Sequence, residues 1–165
     1  MRRFTSLVAL SLLATACASV PMASLDADRV AKEFRTTPGK SNLYVFRDES
    51  MGSAVKMTVV LDGRMLGDTA AKTFLLTPVA AGPHALVSKT ENDARLEFTA
   101  VPGKNVYVWQ EVKMGVWAAR SDLHLMDEEA AKERIAACSL AAGEVPAAAA
   151  PAPSASSASD TTPRS

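Results

Sequence analysis

Between Ser41 and Met126 hydrophobic and polar positions alternate with a period of two. Met57, Val59 and Leu61 alternate with Lys56, Thr58 and Val60; Leu96 and Phe98 alternate with Arg95, Glu97 and Thr99. Val106, Val108 and Val112 alternate in the same way with Tyr107, Trp109 and Glu111. Successive side chains of a strand point to opposite faces, so these runs predict half-buried strands. Asp62-Gly63 is a two-residue hairpin signal leading into Arg64–Gly67. Gly82-Pro83, Glu91-Asn92-Asp93, Pro102-Gly103-Lys104 and Lys113-Met114-Gly115 punctuate the remaining runs with turn material. Turns recurring every ten to twelve residues predict an antiparallel β-sandwich of seven or eight strands over 38–126, immunoglobulin- or transthyretin-like in class.

The period changes to that of a helix on either side. Over 26–37, Ala27, Val30, Ala31 and Phe34 share one helical face, and Pro38-Gly39 ends the pattern. Over 127–142, Asp127 is placed to cap a helix, and Glu128 and Glu129 suit its positive first turn. Ala131, Ile135, Cys138 and Ala142 form the stripe of this second helix, with Gly143 at its end.

The N-terminus follows neither period. Arg2 and Arg3 precede an apolar run from Phe4 to Leu13, then the small residues Ala14-Thr15-Ala16 stand before Cys17. That is the layout of a secretory signal peptide over 1–16, cleaved between Ala16 and Cys17. The apolar run is far short of the ~20 residues a membrane-crossing helix needs. Leu13-Ala14-Thr15-Ala16-Cys17 resembles the lipobox of bacterial lipoproteins, in which the cysteine thiol takes a diacylglycerol and becomes the first residue. Ala14-x-Ala16 also fits plain secretion at the same bond, leaving a soluble periplasmic protein. With Ala18 rather than aspartate after the cysteine, analogy with lipoprotein sorting points to the outer membrane, facing the periplasm. Residues 17–25 then read as a spacer, and the Ala, Pro and Ser of 143–165 as a disordered tail.

Pro38-Gly39-Lys40-Ser41-Asn42-Leu43-Tyr44-Val45-Phe46-Arg47, Val60-Leu61-Asp62-Gly63, Ala81-Gly82-Pro83-His84 and Pro102-Gly103-Lys104-Asn105-Val106-Tyr107-Val108 together resemble domain-of-unknown-function family 2846. The resemblance runs over roughly 38–135. It implies a small β-domain of a bacterial lipoprotein, and it carries over no catalytic residue.

Chemistry is sparse. The 18 basic and 18 acidic residues balance, so no basic stripe points to nucleic acid. Phosphate loops, nucleophile elbows and zinc-protease helices are absent from the sequence, and no cofactor is expected. His84 and His124 are the two histidines; they read as strand and turn residues rather than a metal pair. Cys138 reads as a buried thiol. The feature with most promise is aromatic: Tyr44 and Phe46 share one strand face, and Tyr107 and Trp109 another. If those strands pair, the four rings line one sheet surface, either covered by a helix or open as a binding platform that Trp117 extends. The expected function is non-enzymatic binding of an envelope protein or peptidoglycan through the β-domain; glycan or lipid binding on the aromatic face is the alternative, and hydrolysis a distant third.

Overall fold

A computed structural model describes residues 19–36, 38–115 and 119–143. Its elements are helix α1 (Leu25–Ala31), strands β1 (Ser41–Arg47), β2 (Met57–Leu61), β3 (Arg64–Thr69), β4 (Thr73–Val79), β5 (Gly82–Lys89), β6 (Asp93–Ala100), β7 (Val106–Met114) and β8 (Ala119–Leu125), helix α2 (Glu128–Ala136) and the short strand β9 (Ser139–Leu140). Two sheets face each other, ordered β8-β7-β1-β4-β9 and β3-β2-β5-β6. This is the expected β-sandwich, with two departures from the antiparallel pattern. Central β1 runs parallel to β7, pairing Leu43 with Val106 and Phe46 with Trp109, and β9 runs parallel to β4. Strands far apart in sequence pair this way because helices and crossing strands, not hairpins, connect them.

The two periods of β1 feed two cores. Leu43 and Val45 point into the sandwich, packing with Val59, Leu75, Leu86 and Val108. Tyr44 and Phe46 point outward into a second cluster with Ala31, Ala131, Ile135 and Cys138. The five-stranded sheet is therefore buried on both faces at its centre, where every residue of β1 is buried. The interior between the sheets is not wholly apolar. Gln110, fully buried on β7, donates to Ser88 Oγ of β5 at 2.6 Å and accepts from Thr69 Oγ1 of β3. Arg47, also fully buried, donates to the carbonyls of Val55 (2.7 Å), Met51 (3.0 Å) and Gly52 (2.5 Å), fastening the 48–56 loop.

The helices are shorter than their periodicity predicts. The first spans Leu25–Ala31, with Ser24 Oγ accepting from Ala27 N, and the chain turns at Phe34 with φ +53°. Of the expected face, Ala31 is buried and Phe34 partly so, whereas Val30 is exposed. The helix docks instead through Asp28, whose carboxylate accepts from Leu140 N at 2.7 Å. The second helix ends at Ala136 rather than 142, because Ser139 and Leu140 pair with the edge of β4. Its stripe holds for Ala131, Ile135 and Cys138; Ala142 is exposed.

Residues 20–23, expected within a spacer, belong to the fold. Val20 is buried, Ala23 N donates to Leu140 O at 3.0 Å, Met22 bridges Ala141, and Ala142 N donates to Pro21 O at 2.8 Å. The expected signal peptide with Ala16 and Cys17, the tail from 144 and Trp117 lie outside the described residues.

Candidate functional site on the outer face of β7 and β8

The aromatic residues meet as their strands predict, Tyr44 beside Tyr107 and Phe46 beside Trp109. The Tyr44 and Tyr107 rings stack with centroids 5.2 Å apart, and Phe34 and Phe74 close in on Tyr44 at 5.4 and 6.2 Å. They do not form an open platform. Tyr44, Phe46 and Tyr107 are 1%, 0% and 2% exposed, because the small side chains of Ala31, Ala131 and Cys138 let both helices lie close over the sheet. The Tyr44 hydroxyl donates to Ala31 O at 3.0 Å, and burial holds its pKa above the ordinary phenol range. Cys138 Sγ lies 3.5 Å from Arg134 O, and burial pushes the thiol up to about 12, so it stays protonated and packs as a small hydrophobe.

Trp109 marks where helix cover stops. Its indole N–H donates to Glu49 Oε1 at 2.9 Å, the Arg134 guanidinium lies 4.0 Å from its ring centre, and His124 packs at 5.2 Å. Arg134 is itself fixed by Asp48, donating through Nε at 2.8 Å and Nη2 at 2.6 Å. Desolvation opposes the charge on Asp48, but these two bonds outweigh it and keep its pKa below the usual carboxylate value. A tryptophan held on its ring and its N–H presents little free stacking surface.

Beyond Trp109 the outer face becomes polar and open. Register sets Glu111 opposite Asp122 and Lys113 opposite Arg120, with His124 opposite Trp109. His124 Nε2 lies 2.8 Å from Glu111 Oε2, and Lys113 Nζ lies 3.3 Å from both Glu111 and Asp122. One atom each of Glu111, Asp122 and His124 lies within 4.8 Å of the others, a spacing that could hold a metal ion. The Lys113 ammonium already pairs with both carboxylates, so a metal would have to displace it. A groove of about 360 Å³ continues this row, lined by Asn92, Lys113, Met114, Arg120, Ser121 and Asp122. Met114 on its rim is 83% exposed.

The nearby sheet edge is closed. Asn92 accepts from Ser121 N and donates to Ser121 O, both at 2.9 Å, as a neighbouring strand would, and Leu123 N donates to Asp122 Oδ1. Strand addition along this stretch of β8 is blocked, which leaves the face and its groove.

His84 lies elsewhere, on the other sheet, with Nδ1 2.6 Å from Asp62 Oδ2 and Nε2 2.9 Å from Ala80 O. Two acceptors favour the doubly protonated ring. Desolvation opposes the charge, but the bonds to Asp62 and Ala80 outweigh it and raise the pKa.

The family model described as "Protein of unknown function (DUF2846)" matches residues 37–122. The chain belongs to this family. An uncharacterized protein of Haemophilus influenzae is similar to it, 33% identical over 138 residues, which cover 82% of each chain. No solved structure matches.

Sequence reasoning missed Glu49 and Arg134, which hold Trp109 from 60 residues away and from a helix, Asp48, which fixes Arg134, and Asn92, which reads as turn material. The groove could be anticipated only by pairing Lys113-Met114 with Arg120-Ser121-Asp122 across a hairpin.

Proposed function

We propose that this member of domain-of-unknown-function family 2846 is a lipid-anchored protein of the bacterial envelope that binds a protein or cell-wall partner without catalysing a reaction. In this reading 1–16 is a signal peptide, Cys17 carries diacylglycerol and a further fatty acyl chain such as palmitate, and the protein faces the periplasm from the outer membrane. Two or more acyl chains make such anchoring stable, at about 0.8 kcal/mol for each buried methylene.

The observation that supports the binding role is the polar row of Glu111, Lys113, Asp122 and His124 with its groove. The row sits at the β8 edge of the five-stranded sheet, while residues 20–23 enter along β9, the opposite edge. Four strand spacings, about 19 Å, separate the two. A partner could reach the row while the N-terminus is held at a membrane. Mixed charge and an exposed methionine fit a polar protein or peptidoglycan surface better than a sugar stacked on Trp109. A photo-crosslinking residue at Arg120 should capture an envelope component in the periplasm, and Glu111→Lys with Asp122→Lys should reduce capture at least about tenfold. Equal capture by the charge-reversed variant would refute the assignment of this face.

A further inference from the structure

Four turns crowd one end of the sandwich. Ser41 pairs with Val79 and Gly82 with Ala100, which brings 38–40, 80–81 and 101–104 together. Gly103 N donates to Lys40 O at 2.9 Å, and Ser41 Oγ donates to Val101 O. His84 ties the 62–63 turn to Ala80 in the same cluster.

The N-terminal segment leads to this end. Leu140 is level with Phe74 on β4, and Ala142 N bonds Pro21 O. Read backwards from Ala23 to Val20, the chain therefore runs toward Val79 and the turn cluster. Cys17 lies three residues before Val20, within about 10 Å of it by covalent reach. A lipid on that cysteine brings the turn cluster, rather than the groove at the far edge, to the bilayer.

The side chains there suit a headgroup layer. Lys40, Arg64 and Lys104 are exposed and make no ion pair among the described residues, as is also true of Lys72 and Arg120 elsewhere, whereas Lys32, Lys56, Lys89, Lys113, Lys132 and Arg134 each do. Met65, beside Arg64 on β3, and Val101, just past β6, are 51% and 47% exposed at the two edges of the four-stranded sheet. Asp62 is taken by His84, and Glu33 by Arg35. The acidic start of α2, Asp127 to Glu129, lies outside β1 and β7 and bounds the basic area on that side.

We infer that this turn end is a membrane-apposed surface, with Lys40, Arg64 and Lys104 facing lipid phosphates and Met65 and Val101 entering the headgroup layer. The inference rests on the lipoprotein reading above. Its test is lysine footprinting of the full mature chain, acylated, on vesicles containing phosphatidylglycerol, with the non-acylated Cys17→Ser chain mixed with the same vesicles as reference. Amine modification of Lys40 and Lys104 should slow about tenfold or more, while Lys72 and Lys89 at the opposite end react unchanged. Arg64→Glu should return about fivefold of that protection while leaving the protein on the vesicles. If intact mass shows the acyl chains and Lys40 and Lys104 still react as fast as Lys72 and Lys89, the docking surface is wrong and the anchor stands. An unacylated Cys17 would overturn both.

Discussion

Two side chains show how this molecule uses polarity inside an apolar frame. His84 bonds a carboxylate and a carbonyl at once, so its folded pKa lies above its ordinary value near 6.5. A raised histidine pKa contributes stability that is fully present below the unfolded value and is lost as pH rises through the folded one. Urea unfolding should therefore show about 1 kcal/mol lost between pH 6 and 9, and His84→Gln should flatten that dependence. Gln110 bridges the sheets through Thr69 and Ser88. Gln110→Leu keeps the volume but strands the Ser88 hydroxyl and leaves Thr69 only its longer bond to Met57 O at 3.3 Å, at a cost of about 1–3 kcal/mol in urea unfolding. Adding Thr69→Val and Ser88→Ala should recover most of the loss. The pattern of β7 already holds this clue, since a glutamine occupies an inward position between Val108 and Val112. Arg47 likewise falls on the inward side of β1 after Leu43 and Val45. In both cases alternation reveals the buried polar residue, while its partners come from strands and loops that only folding brings near.

At the scale of elements, alternation placed the strands well because one face of each is buried against a core. It located the helices less well, because tertiary pairing competes with helical periodicity at their ends. Residues 139–140 leave the helix to join β4, and the short first helix is held by Asp28 and by Ala31 alone of its apolar stripe. The aromatic row was legible as a row; its cover was not, because two helices from opposite ends of the chain supply it. Edge protection was also hidden, since Asn92 reads only as a turn residue until it meets Ser121. Asn92→Ala should release both backbone groups of Ser121, lowering stability by about 1–2 kcal/mol. It should also allow concentration-dependent association through β8, visible as a rising mass in analytical ultracentrifugation. A variant that stays monomeric and fully stable would show that Asn92 does not guard the edge.

For the whole molecule, three layers and two ends divide the proposed work. The helices seal the aromatic half of the five-stranded sheet, so the proposed binding is assigned to the charged half beyond Trp109. The N-terminal segment runs along β9 toward the turn cluster, and that cluster carries Lys40, Arg64 and Lys104, which make no ion pair among the described residues. Anchor and binding row thus come to opposite edges of one rigid sandwich, an arrangement that depends on Cys17 being lipidated. Intact mass of the mature protein from a native bacterial envelope tests that claim most directly. The account predicts a chain beginning at Cys17 with added diacylglycerol and fatty acyl mass; a chain beginning at an unmodified Cys17, or one retaining residues 1–16, would contradict it.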